Sequence, residues 1–228
     1  MSMKKETENK IIELHKMVEG FSMDYHQKSL IRDKINEILA CEANDRKFGK
    51  VDLYDYVGKD KQYPILNGIY HKDGKVYATD ARILCRCVCD YDSKYEGKVI
   101  GKDGKVIEGC YPDADRVIPN TQRWTHIPID FDKVEQSKKK WVAHKKIYKK
   151  TALGRFAIGN QYIDMPYFFM MCDLMKEWGI TEVVQCADSD IPNIRALVAE
   201  DENNKVILMP VFFDDEQLSA PEVLVIGL

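Results

Sequence analysis

The side chains with the most obvious chemistry lie in one basic run. From Asp130 to Lys150 the chain carries eight lysines and His144. Ammonium groups gathered this way can neutralise the phosphates of a nucleic-acid backbone without reading its bases. On a helix, Lys138, Lys145 and Lys149 share one face and Lys139, Lys146 and Lys150 another. With Lys140, these lysines are the candidate contacts to duplex DNA, non-specific and salt-sensitive. The alternative is a solvated charged face, the usual fate of such runs.

Other reactive residue types lack the spacing that chemistry requires. Cys85, Cys87 and Cys89 alternate along a strand-like stretch, which puts all three on one face about 7 Å apart, too far for an ordinary disulfide. No Cys-x-x-Cys or Cys/His spacing turns them into a metal site. Asp188-Ser189-Asp190 lacks the rest of a calcium-binding loop and reads as a turn between strands. The five histidines show no His-Glu-x-x-His pattern, and there is no Gly-x-Ser-x-Gly elbow. The repeated Lys-Asp-Gly-Lys lacks the spacing of a phosphate-binding loop. No catalytic residue, metal or cofactor is expected.

These groups must be held by a folded scaffold. With 228 residues, 45% of them hydrophobic and 31% charged, the chain can bury a core of its own. No apolar run approaches the roughly 18 to 20 residues needed to span a bilayer. The charged N-terminus lacks the apolar stretch of a secretion signal, so a cytoplasmic protein without membrane partners is expected. A net charge of -3 excludes a uniformly basic nucleic-acid binder, but not one with its basic residues on a single surface.

Residues 1–50 read as helical, with stripes through Ile11, Leu14 and Val18 and through Leu30, Ile31, Ile35 and Ile38. From Pro64 to Pro119 the texture is of short strands, with hairpins turning at Asp73-Gly74 and Asp103-Gly104. An irregular stretch from Pro119 to Pro128 is the expected junction between units 51–119 and 120–228. The second unit begins with the lysine run. A hairpin turning at Gly159-Asn160 follows, then a helix capped by Asp164, with Pro166 near its start and Gly179 at its end. Strands over Glu182–Cys186, Ile194–Ala199 and Lys205–Met209 come next, with a last one at Val223–Ile226.

Three separated segments carry a family resemblance. Ala78-Thr79-Asp80-Ala81-Arg82-Ile83-Leu84 resembles the Ala-Thr-Asp-Gly-His-Arg-Leu of the bacterial DNA polymerase sliding clamp, with Gly-His reduced to Ala81. Gly109-Cys110-Tyr111-Pro112-Asp113-Ala114-Asp115-Arg116-Val117-Ile118-Pro119 matches that family's Gly-Arg-Phe-Pro-Asp-Tyr-Arg-Arg-Val-Leu-Pro in register. Lys205–Val211 resembles its closing strand. The resemblance spans roughly residues 63 to 213, with gaps, and the order of the segments is the family's.

That resemblance implies an α+β, DNA-clamp-like fold: antiparallel sheets with helices packed on one face, in two clamp-like units. It also implies a groove, between the units, that captures short linear peptides of replication and repair proteins. Carried over residue by residue, the groove comprises Thr79, Arg82, Leu84, Pro119, Ile207, Met209, Pro210 and Val211. Such residues make an adaptable apolar floor, and Arg82 can hold a peptide carboxylate or carbonyl at the rim. These positions are equally consistent with core strand residues. In the family's alignment only the start of the lysine run is helical and the rest is strand.

The chain departs from the family between Leu84 and Gly109, where strands and an inner helix are missing, and one whole domain has no counterpart. Two readings follow. One is a non-enzymatic, DNA-associated scaffold, able to close a ring as a homo-oligomer such as a trimer. The other is a clamp-fold peptide-binding or structural module of a phage or mobile element that forms no ring and leaves DNA alone.

Overall fold

The computed structural model describes residues 13–14, 30–31, 47–48, 50–122, 124–158, 161–185, 196–211 and 219–227. The helical reading of the first fifty residues lies almost wholly outside them; 13–14 and 30–31 are helical. Gly159-Asn160, Cys186, Ile194 and Asp188-Ser189-Asp190 also lie outside.

The fold is α+β, dominated by a nine-stranded sheet. In sequence, β1 is Lys47–Phe48, β2 Val51–Asp52, β3 Gly68–Lys72, β4 Lys75–Thr79, β5 Ile83–Val88, β6 Val99–Gly101, β7 Val106–Ile107 and β8 Thr125–Pro128. Helix α1 is Phe131–Tyr148, β9 Leu153–Ile158, β10 Gln161–Asp164, α2 Met165–Trp178, β11 Glu182–Gln185, β12 Leu197–Glu200, β13 Asn204–Leu208 and β14 Val223–Gly227. The large sheet runs β7-β6-β3-β4-β5-β13-β12-β11-β8, and every pairing in it is antiparallel. Strands from before Pro119 form one end of it and strands from after Pro119 the other.

Turn chemistry sets the register. Asp73 (φ 51°) and Gly74 (φ 68°) supply the two left-handed positions of a primed hairpin turn between β3 and β4. Asp201 closes the β12–β13 turn by accepting the backbone N–H groups of Asn203 and Asn204, each at 2.7 Å. The Pro119–Pro128 stretch is not wholly irregular. Its last four residues form β8, which gains its partners from β11 on the far side of α2, a pairing that local periodicity does not reveal.

Alternation divides the sheet's side chains between two cores. Val76, Ala78, Ile83, Cys85, Cys87, Val206 and Leu208 pack on the helix side with Phe168, Met171, Cys172 and Met175 of α2. Tyr77, Leu84, Val198 and Ile207 face the other way, under Tyr111 and Ala114. The three alternating cysteines thus share a face, with Cys85 and Cys87 buried and their thiol pKa values pushed up by burial.

The lysine run is one helix through Tyr148, not a helix giving way to a strand. Asp130 caps it by accepting the N–H groups of Asp132 and Lys133 at 3.0 and 3.1 Å. Val134, Ser137, Trp141, His144 and Tyr148, three or four residues apart, form the face that packs inward or lies half-buried. Helix α2 ends as expected, at a left-handed Gly179 whose N–H caps the last turn. Its start differs: Asp164 holds the cap position but makes no capping hydrogen bond, because its carboxylate is turned to Arg155 at 3.4 Å. Strand β14 exists but joins a separate sheet, β10-β9-β14, running parallel to β9.

Candidate functional site

The two ends of the sheet meet where β5 pairs with β13, with Leu84 opposite Ile207. On the face away from the helices, Thr79, Leu84, Ile207 and Met209 make a floor. Residues 111–119, with a single 3-10 turn at Ala114–Val117, form the facing wall. Between them lies a cavity of about 590 Å³. The wall is anchored from below. Tyr77 donates its hydroxyl to both carboxylate oxygens of Asp115 at 3.1 and 3.0 Å, and Tyr111 stacks on Tyr70 at 4.6 Å. Burial raises the pKa of both Tyr77 and Tyr111, and the Asp115 carboxylate raises Tyr77 further. Both therefore stay neutral.

Of the residues expected in a groove, Thr79, Arg82, Leu84, Pro119, Ile207 and Met209 line this one cavity. Pro210 and Val211 do not: the backbone N–H of Val211 donates to Tyr162 at 2.8 Å, which carries the chain away toward β10. Leu66, Tyr111, Ala114, Ile118 and Ala196 also line it, beyond the residues the resemblance implies. Tyr111, Ala114 and Ile118 sit in the Gly109–Pro119 segment, whose apolar residues were the available signal; Leu66 and Ala196 gave none.

A tight turn shapes the mouth. Thr79 donates its hydroxyl to the Ile83 carbonyl at 2.7 Å and accepts the Ala81 N–H at 3.0 Å. Asp80 accepts the N–H groups of Arg82 and Ile83 at 2.9 and 3.1 Å through one oxygen and the Tyr167 hydroxyl of α2 through the other. Burial and this bond push the Tyr167 pKa up to about 12. Ala81 sits at φ 73°, the left-handed region that glycine occupies without penalty. The Arg82 carbonyl accepts the Met209 N–H at 2.9 Å, and its guanidinium lies 5.7 Å from the centre of the Tyr167 ring.

The candidate lysines, on α1 and the 3-10 turn that follows it, divide in two. Lys138 turns to α2, bonding Asp173 at 2.7 Å and Glu135 at 3.3 Å. Burial lowers its pKa, but the two carboxylates outweigh that and the net shift is upward. Lys139, Lys140, Lys145, Lys146, Lys149 and Lys150 are exposed, and none forms an ion pair among the described residues. Among those residues, too, no group of three or more His, Cys, Asp or Glu is placed to hold a metal ion, and no helix is long and apolar enough to cross a membrane.

This arrangement, a long antiparallel sheet backed by two helices, is the fold of the bacterial DNA polymerase III β sliding clamps. The chain is similar to the clamp of Caulobacter crescentus, solved with polyethylene glycol bound, at a TM-score of 0.52 and 15% identity over 71% of this chain and 62% of that one. It is similar to the clamp of Bartonella birtlesii bound to griselimycin, at a TM-score of 0.50 and 14% identity over 79% and 64% of the two chains. For the Helicobacter pylori clamp bound to a DNA ligase peptide, the TM-score is 0.50 and the identity 12%, over 70% and 61%. The matched region spans less than two thirds of each of these clamps. No protein-family model matches the sequence, and no curated protein does.

Proposed function

We propose that this chain is a sliding-clamp-like scaffold of the cytoplasm that associates with DNA, performs no catalysis, and binds short partner peptides in the groove at the β5–β13 seam. The observation that carries the reading is the apolar cavity of about 590 Å³ on a clamp fold, within the volume range of sites that bury small ligands and peptide side chains. That the Helicobacter pylori clamp of the same fold was solved with a DNA ligase peptide supports a peptide as the occupant.

The groove has the physical character the role needs. Leu84 and Ile207 are buried in the sheet, whereas Met209 is 44% exposed at the mouth, and a flexible thioether adapts to varied partners. The exposed Lys139, Lys140, Lys145 and Lys146 of α1, with Lys149 and Lys150 just beyond it, supply the phosphate contacts; Lys138, tied to Asp173 and Glu135, takes no part.

A phage-displayed random peptide library, panned on the chain and on Met209→Asp, tests the groove. Peptides with bulky apolar residues are expected to emerge from the wild type and to lose binding to the variant. The second reading, a module that forms no ring and ignores DNA, draws on the partial span of the match to known clamps. A strict monomer in light scattering at high concentration, with no retention on closed circular DNA, favours it.

A further inference from the structure

The geometry points to a selectivity rule for the groove: Arg82 makes it prefer peptides that carry an acidic side chain beside their apolar anchors. This rests on the peptide-groove reading above. It follows from which charges near the mouth are satisfied and which is not.

Four acidic groups stand near the mouth or in the wall, and each is engaged. Asp80, two residues from Arg82, spends one oxygen on two backbone N–H groups of its own turn and the other on the Tyr167 hydroxyl. On the wall, Asp113 is paired with Arg116 at 3.0 Å and Asp115 accepts the Tyr77 hydroxyl. Asp164 faces Arg155 at 3.4 Å. The Arg82 guanidinium has no carboxylate partner among the described residues; beside it lies the Tyr167 ring.

Arg82 is therefore a cation held beside an apolar cavity with its donors directed to no acid of its own. Arg155, the other cation nearby, is offset by the Asp164 it faces. A carboxylate suits a guanidinium better than a peptide carbonyl does, since the charge-assisted pair is shorter and about twice as strong. The Tyr167 ring restricts the long arginine side chain, which lowers the entropy lost when it engages a ligand. Tyr167 thus acts as a positioning residue twice over, occupying Asp80 with its hydroxyl and supporting Arg82 with its ring.

The test is a phage-displayed random peptide library whose peptides are fused through their C-termini, so that any carboxylate is a side chain. Panned on the wild type, it should yield apolar peptides enriched in Asp or Glu, and synthetic versions should lose about tenfold or more in affinity for Arg82→Gln. Arg82→Glu should favour Lys- or Arg-bearing peptides instead. Apolar peptides without acid enrichment, yet still lost on Met209→Asp, overturn the acid rule and leave the groove intact. An acid preference that survives Arg82→Gln overturns the assignment to Arg82. Peptides indifferent to Met209→Asp overturn the groove reading, and the rule with it. A selected peptide that binds as tightly when its C-terminus is amidated confirms that the side-chain carboxylate is the one read; dependence on a free chain end contradicts it.

Discussion

Leu84 and Ile207 stand opposite each other across the β5–β13 seam, and both face the cavity. The backbone pairing that unites the two ends of the sheet therefore also builds the floor of the groove. Whatever separates β5 from β13 dismantles the site, and the helix side of the sheet is linked to its mouth through Tyr167 and the turn at Asp80.

Gly154 of β9 is tightly packed against the helices. A Cβ there would lie 2.9 Å from Met165 Sδ and from two ring carbons of Trp141. Gly154→Ala should cost about 1 to 3 kcal/mol, because the indole of α1 is wedged against β9 and has little room to shift. Urea denaturation measures it; an unchanged midpoint would show that Trp141 is loosely packed.

The turn at the groove mouth carries strain that can be relieved. Ala81 at φ 73° holds a conformation costing an L-residue about 1 to 2 kcal/mol, while glycine adds about 0.4 to 1 kcal/mol of unfolded-state entropy. Ala81→Gly should thus be neutral or stabilising by up to about 1 kcal/mol, and Ala81→Val clearly destabilising. Thermal melts of the three proteins rank them.

The two helices are linked by a charge cluster that should respond to acid. Glu135 bonds Lys176 at 2.7 Å and Lys138 at 3.3 Å, and these bonds, Lys176 first, hold its pKa below the ordinary 4.5. A carboxylate whose pKa is lower when folded contributes stability above the unfolded pKa and loses it as the pH falls through the folded one. Wild type should lose stability relative to Glu135→Gln as the pH drops from about 5 to 3. Parallel curves for the two proteins would show that the exposed pair contributes nothing.

DNA association, if it runs through the outward lysines, has a defined salt signature. Replacing Lys139, Lys146 and Lys150 with glutamine should weaken duplex binding and reduce the slope of log affinity against log salt by about 0.9 for each phosphate no longer neutralised. Lys138→Gln should instead lower stability, since it breaks the bond to Asp173, and leave the slope alone. Fluorescence anisotropy across a salt series reads both.

Much of the scaffold was legible because alternation and turn chemistry are local. Ile83, Cys85 and Cys87 announce one buried face, Asp73-Gly74 a hairpin, and Gly179 a helix end. The full length of α1 was harder to see, because its inward stripe includes Ser137, His144 and Tyr148 among six lysines. That stripe keeps helical spacing throughout, so period alone would have shown it. The partners of β8 and β14 were not legible, since strand pairing across tens of residues depends on tertiary packing. The groove's floor was visible only through the clamp resemblance. The bond between Tyr167 and Asp80 joins residues far apart in sequence and left no local mark, so the state of Arg82 could not be read in advance.

The central claim is that the cavity at the β5–β13 seam takes up a peptide. The most direct measurement is fluorescence anisotropy of the tightest library-selected peptide against wild type and Met209→Asp. Met209 is 44% exposed, so the variant should melt within a few degrees of wild type. The account predicts saturable binding to wild type and a loss of at least about tenfold in the variant, because a carboxylate in the apolar mouth must be desolvated when the peptide docks. Equal affinity for the two proteins would contradict it.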